Sequence, residues 1–164
     1  MSVAVIGAVD VILRDGGTLR LRPPGAGDTS ALVEFFEGLS ERSLFLRFHG
    51  FRHVDADMVE PLLDPDWNAR GALVGCLELG GAERIVAVAS YVRLDAGDVA
   101  EMAFAVADSE QERGIGTRLL EQLGIRAYEH GISRFVADVL ASNTIALRVF
   151  GLSLIHISEP TRPY

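Results

Sequence analysis

The 164-residue sequence is poor in cysteine, in positive charge and in long apolar stretches. Its one cysteine, Cys76, cannot form an intramolecular disulfide, and no Cys/His spacing suggests a metal site, so we expect a reducing, cytoplasmic setting. Lys and Arg number 15 against 23 Asp and Glu, and the resulting net charge of −8 argues against nucleic-acid binding. No apolar run approaches the roughly 20 residues that a membrane span needs.

Hydrophobic residues make up 49% of the chain and charged residues 23%, which is typical of a folded globular domain. We assign this domain to residues 10–150 and treat residues 1–9 as a leader that lacks the charged start of a signal peptide. Residues 151–164 are assigned as a non-native tail, because the string from Leu152 to Tyr164 resembles a translated sequencing adapter. The alternative is a genuine short strand with a proline-rich end.

Alternation and turn residues define the first half of the chain. Residues 11–22 alternate apolar and polar side chains around an Asp-Gly-Gly turn, which predicts a β-hairpin. Asp28 stands at the N-cap position of a predicted helix that extends to Leu39. A second helix is predicted from Ser40, and a short one over residues 55–63.

The second half of the chain combines β-rich runs with a single long amphipathic segment. Strand 99–107, helix 114–130 and strand 135–140 form a β-α-β unit, so those two strands are predicted to be parallel with a right-handed crossover. The other predicted elements are strands over residues 72–79 and 85–94, joined by a Gly-Gly turn, and a helix over residues 143–150.

The segment Gln111-Glu-Arg-Gly114-Ile-Gly116 lies where that strand ends and the long helix begins. The first amides of a helix and its dipole favour a phosphate group, and glycine lets phosphate oxygens approach the backbone. A dinucleotide fingerprint would need a third glycine at position 119, which is leucine here, so an ordinary Rossmann site is disfavoured. The alternative is that the two glycines merely open the helix.

In this context the segment resembles the acetyl-CoA signature Gln/Arg-x-x-Gly-x-Gly/Ala of the Gcn5-related N-acetyltransferase (GNAT) superfamily. The order of elements is similar over residues 10–150, and residues 13–22, 39–48 and 100–106 resemble bacterial protein lysine acetyltransferases. The resemblance implies an α/β fold, a mixed twisted sheet with a splayed parallel strand pair and flanking helices. With the tail excluded, the last two strands of that fold are expected to be missing.

The resemblance also implies which residues bind acetyl-CoA as co-substrate, with no metal. The strand that ends at Val106 is expected to carry a bulge and to pair with the pantetheine arm, while the loop after it holds the pyrophosphate. Asn143 corresponds to a CoA-contacting asparagine, although it is an equally good N-cap for the predicted helix. The implied cofactor-binding residues are Val106, Gln111, Glu112, Arg113, Gly114, Ile115, Gly116, Thr117 and Asn143.

Glu101 stands at the position of the general-base glutamate in that subfamily. A lysine amine has a pKa near 10.4, so a carboxylate that accepts its proton would promote attack at pH 7. The alternative is an ordinary solvated glutamate near a strand end. Many superfamily members place a tyrosine where this chain has Phe150, which cannot protonate a leaving thiolate.

The resulting hypothesis is an acetyl-CoA-dependent N-acetyltransferase that transfers acetyl directly to a protein lysine. The alternatives are acetylation of a small-molecule amine and a non-catalytic module that senses acyl-CoA. The resemblance also implies a native fusion to an acyl-CoA synthetase-like or a cyclic-nucleotide-binding domain.

Overall fold

The computed structural model describes residues 7–39, 55–95, 97–110, 114–139, 143–150 and 153–158. Within these residues, eight strands form one sheet in chain order, and the fifth and sixth are its parallel neighbours. The strands are β1 Val9–Ile12, β2 Thr18–Arg22, β3 Arg70–Leu79, β4 Ala82–Arg93, β5 Val99–Val106, β6 Arg134–Val139, β7 Asn143–Phe150 and β8 Ser153–Ser158. The α-helices are α1 Thr29–Glu37, α2 Ala56–Val59 and α3 Ile115–Glu129, with 3-10 turns at Ala26–Asp28, Glu60–Leu62 and Asp108–Glu110.

The predicted hairpins are confirmed, and their turns show why. In the first, the Leu13 amide donates to the Gly17 carbonyl, and the Gly17 amide donates to the Asp15 carboxylate at 2.9 Å. The β3–β4 turn places Gly80 and Gly81 at φ +61° and +82°, a conformation that costs glycine little. The second predicted helix, from Ser40, lies outside the described residues.

The sheet carries a hydrophobic core on each face. Helix α3 covers one face with Ile115, Leu119, Leu123 and Ala127, as its period predicted, and it ends before Gly131 at φ +86°. Helices α1 and α2 cover the other face with Leu32, Phe35, Phe36 and Val59. In the described part of the chain, no helix has the length and apolar character needed to cross a membrane.

Asp28 occupies the predicted N-cap position of α1, but its carboxylate bonds elsewhere. It accepts hydrogen bonds from Arg22 at 2.8 and 2.9 Å and from the Gly25 amide at 2.8 Å. The Arg22 guanidinium lowers the pKa of Asp28 and also bonds Glu83 at 2.7 Å. Because folding lowers the pKa of Asp28, the ion pair stabilises the fold fully above the ordinary carboxyl pKa of 3.8. This stabilisation is lost as the pH falls through the lowered pKa. The pair therefore ties β2, the start of α1 and β4 together at neutral pH.

The predicted helix over residues 143–150 is wrong, because these residues form β7, antiparallel to β6. Thr144, Ile145 and Val149 are β-branched, and the free edge of β6 offers them a ladder of backbone partners. Residues 153–158 also form a strand, which pairs antiparallel with β7. Two strands therefore follow β6, and β8 lies in the segment whose exclusion as a non-native tail had led to the expectation that the last two strands would be missing.

Gly71 offers a sharp test of the packing under α3. A Cβ at this position would lie 2.2 Å from Cε2 of the buried Tyr91 and 2.8 Å from Cε3 of Trp67. The Tyr91 hydroxyl donates to the Trp67 carbonyl at 2.6 Å, which holds the ring in place. We expect Gly71→Ala to lower the free energy of unfolding by about 3 kcal/mol.

The matched control is Gly75→Ala on the same strand, where the nearest neighbours of the new Cβ lie at 3.4 Å. Its expected cost is below about 1 kcal/mol. Denaturant unfolding of the two variants measures the difference, and equal stabilities would contradict this packing.

Candidate active site

The parallel pair β5 and β6 is joined over a short stretch only. Val99 pairs with Arg134, Ala100 with Phe135 and Glu101 with Val136, and there the described pairing between the two strands stops. Beyond that point β6 continues beside β7, while β5 continues beside β4 up to Val106. The two strands therefore diverge from Glu101 onward and leave a slot between them. This confirms the splayed parallel pair that the resemblance implied.

The bulge implied for the strand over residues 99–107 is not present in its pairing with β4, and that expectation is corrected. The register from Ala87↔Val106 to Arg93↔Ala100 is continuous. The extra residue lies instead in β4, at Val86, between Ile85 and Ala87 in their pairing with β3. The Val86 carbonyl accepts a hydrogen bond from the Ala107 amide at 2.8 Å, so the irregularity adjoins the end of β5.

Gly114 begins α3 with φ +81° and ψ 7°, in the left-handed region. A Cβ built on it would have no neighbour within 4 Å, so the space in front of the helix start is open. The amides of the first turn, at Ile115, Gly116 and Thr117, precede the intrahelical hydrogen-bond ladder and carry the positive end of the helix dipole. The structure thus presents an open, positively polarised helix start at the end of the slot, which fits a phosphate group.

A groove of about 230 Å³ adjoins this helix start, and no sequence pattern predicted it. The β1–β2 turn contributes Arg14, and α3 contributes Thr117, Arg118 and Glu121. Arg118 is held loosely by Glu121 at 3.4 Å. Arg14 is about a hundred residues from the start of α3 in sequence, so only the fold places its guanidinium group beside that of Arg118 at the helix start.

Glu101 lies at the opposite end of the slot, at the last paired position of β5. Its neighbours Ala100 and Met102 are buried under α3, so alternation places Glu101 on the face of α1 and α2, where it is exposed. The cross-strand partner of Glu101 on β4 is Val92, whose side chain is also exposed, at 51%. An exposed carboxylate beside an apolar side chain can bind an alkyl amine, with the carboxylate at the nitrogen and the apolar side chain against the methylenes.

Cys76 takes no part in this site. It is buried in the core between the sheet and α1, and burial raises the pKa of its thiol to about 12. The described residues hold no cluster of three or more His, Cys, Asp or Glu side chains that could bind a metal ion.

Several candidate residues lie outside what the structure describes. Gln111, Glu112 and Arg113 precede Gly114 in the sequence and are not among the described residues. The backbone of Asn143 begins β7 and does not open a helix, and the side chains of Asn143 and Phe150 are not described. The described parts of the site are therefore Glu101, Val106 and residues 114–117.

Comparisons with known proteins agree with this arrangement. Residues 39–152 match the model of the Acetyltransferase (GNAT) family. The chain is 32% identical over 141 residues to the acetyltransferase Pat of Mycolicibacterium smegmatis, covering 85% of this chain and 42% of that protein. It is 33% identical to the GNAT domain of S. lividans PAT in a crystal structure, with a TM-score of 0.74 over 94% of this chain and 97% of that one.

A second solved relative is a cAMP-binding acyltransferase from Mycobacterium smegmatis. It is 30% identical with a TM-score of 0.53, and the match covers 81% of this chain and 38% of that one. The chain therefore spans less than half the length of these longer relatives.

Proposed function

The chain belongs to the GNAT acetyltransferase family, and from that premise we propose that it transfers acetyl from acetyl-CoA to the amine of a protein lysine, with Glu101 as general base. One observation carries the proposal. The slot between β5 and β6 has a helix start suited to phosphate at one end and an exposed carboxylate at the other. A substrate with a diphosphate and a distant reactive thioester fits that layout.

At the phosphate end, the amides of residues 114–117 bind the pyrophosphate of acetyl-CoA, together with the loop residues Gln111, Glu112 and Arg113. Arg14 and Arg118 add positive charge at the same place in a chain whose net charge is −8. Asn143 at the start of β7 remains a proposed contact with the coenzyme.

The length of the slot matches the length of the coenzyme's arm. From Val106 to Glu101 the strand makes five steps of about 3.3 Å, or roughly 17 Å. The pantetheine arm has about 13 bonds between phosphorus and sulfur, which span roughly 16 Å at the ~1.2 Å per bond of an extended chain. An arm that runs along β5 therefore brings its thioester close to Glu101.

The chemistry then needs only a neutral amine at that point. Glu101 takes a proton from the ammonium group, and the freed lone pair attacks the thioester carbon. The new C–N bond forms, the C–S bond breaks and the sulfur leaves as CoA thiolate. The proton that the nitrogen loses as the amide forms neutralises this thiolate, so the reaction needs no proton donor at position 150. Val92 gives the four methylenes of a lysine side chain an apolar surface next to the carboxylate.

We further propose that the domain works in the cytoplasm. Its proposed fusion partner is a cyclic-nucleotide-binding domain or, alternatively, an acyl-CoA synthetase-like region. The solved relative described as a cAMP-binding acyltransferase, of which this chain matches 38%, supports the first of these.

The composition of the chain allows a clean test of the acceptor. All 15 of its Lys and Arg residues are arginine, so any acetyl-lysine formed in the reaction belongs to an added acceptor. The purified chain is incubated with acetyl-CoA and a lysine-containing protein, the same protein with its lysines dimethylated, or a set of small amines. CoA release and acetyl-lysine by mass spectrometry are measured.

We expect CoA release that depends on unmodified lysine, with matching acetyl-lysine on the acceptor. Release with small amines but not with protein would contradict the lysine acceptor. Tight CoA binding without transfer to any amine would instead indicate an acyl-CoA-sensing module.

A further inference from the structure

Phe104 is a large aromatic residue that stays 40% exposed in the middle of β5. Met102 and Ala105, on the same strand, are buried, and β4 pairs with β5 from Ala100 to Val106. Phe104 stands three residues beyond Glu101, in the part of β5 that has already diverged from β6. Its exposed surface therefore lies beside the slot.

The ring also adjoins the first turn of α3. A Cβ built on Gly116 would lie 3.7 Å from Cε2 of Phe104 and 3.7 Å from Cγ2 of Val106. Phe104 thus shares the α3 face with Ala100, Met102 and Val106, whereas Glu101 lies on the opposite face. The ring stands between the helix start and the thioester end of the slot.

We propose that Phe104 is a binding residue for the coenzyme's arm, whose ring closes the α3 side of the slot and packs against the apolar pantoyl and β-alanyl segments. This inference rests on the proposed function, since it needs acyl-CoA in the slot. With the α3 side closed, the acceptor amine reaches the thioester only from the face that carries Glu101. The contact with Phe104 therefore contributes to binding of the pantetheine arm and not to binding of the nucleotide.

The position of Phe104 along β5 determines which segment of the pantetheine arm it contacts. Phe104 lies two residues from Val106, which is about 7 Å along β5 from the phosphate end. At ~1.2 Å per bond this corresponds to the sixth bond of the arm, between the gem-dimethyl carbon and the methylenes of β-alanine. Covering the exposed part of a phenylalanine ring with such groups is expected to raise affinity by about 20-fold.

The test compares CoA with a nucleotide that lacks the pantetheine arm. Calorimetry measures binding of CoA and of adenosine 3′,5′-bisphosphate, which keeps the adenosine, the 3′-phosphate and one 5′-phosphate but has neither the second 5′-phosphate nor the pantetheine. The variants are Phe104→Ala, Phe104→Leu and the control Tyr128→Ala, an aromatic residue that is 50% exposed near the far end of α3.

For Phe104→Ala we expect about 20-fold weaker CoA binding with unchanged binding of the bisphosphate, and Phe104→Leu is expected to lose only about 3-fold. Tyr128→Ala should bind both ligands as the parent chain does. With acetyl-CoA and a lysine acceptor, the KM for acetyl-CoA should rise while kcat stays within 2-fold.

Equal losses for both ligands would overturn the proposal, since they would mean that the ring only supports the start of α3. Unchanged CoA binding in Phe104→Ala would overturn it as well. If Phe104→Ala does not fold, the ratio of CoA to bisphosphate affinity in Phe104→Leu decides in the same way. Failure of the parent chain to bind CoA would be a different result, because it would remove the proposed function itself.

Discussion

Replacing Gly114 with valine should weaken CoA binding by at least about 100-fold. The Cβ of the new residue would enter the open space in front of the helix start, where phosphate oxygens must approach the first amides of α3. Each charge-assisted hydrogen bond lost there costs roughly 1.5–3 kcal/mol, so losing one or two accounts for the effect. Calorimetry with CoA measures it.

Gly81→Val is the matched control for backbone strain. Gly81 has φ +82°, close to the +81° of Gly114, and a Cβ there would also meet nothing within 4 Å. It lies in the β3–β4 turn, away from the slot, so Gly81→Val should lose stability through the same strain but keep its CoA affinity. If the Gly114→Val and Gly81→Val variants bind CoA equally tightly, the phosphate site at the start of α3 is refuted.

Glu101→Gln should lower kcat for amine acetylation by about 1,000-fold and leave CoA binding within 2-fold of the parent chain. The amide has the shape of the carboxylate but cannot accept the proton of the incoming ammonium group. Steady-state CoA release measures kcat, and calorimetry measures binding. The control Glu78→Gln changes an exposed glutamate on β3 and should have no effect on either quantity.

The pH dependence separates a general base from a residue that only shapes the slot. Below the amine pKa near 10.4, each unit of pH raises the neutral fraction of the acceptor about tenfold. The rate of Glu101→Gln should therefore rise about tenfold per pH unit, whereas that of the parent chain should depend less steeply on pH, because Glu101 removes the amine proton within the complex. A variant whose rate stays low and flat from pH 7 to pH 9 would contradict the role of Glu101 as a base.

Local patterns predicted most of the sheet because each element carries its own signals. The Asp-Gly-Gly and Gly-Gly turns defined two hairpins, and the apolar period of residues 115–127 defined α3 and the face that it buries. Residues 143–150 were predicted as a helix, but the edge of β6 determines their conformation. A partner strand can override local periodicity, and no single-sequence pattern reports which edge is free.

The site residues also fall into two groups, those that could be predicted from the sequence and those that only the fold brings into the site. The Gly-x-Gly motif marks Gly114 in the sequence, whereas Glu101 is proposed from the family resemblance, because a glutamate near a strand end carries no signal of its own. Phe104 and Arg14 carry no such mark, since their importance comes from where β5 leaves β6 and from how the β1–β2 turn meets α3. Single exposed apolar residues become informative only after the register shows that they line a slot.

A crystal structure of the chain with CoA tests the central claim most directly. We expect phosphate oxygens within about 2.7–3.2 Å of backbone amides among residues 114–117. The arm should run along β5 past Phe104, with the sulfur at the end of the slot beside Glu101. A coenzyme with its pyrophosphate away from the start of α3, or with its sulfur remote from Glu101, would contradict the account.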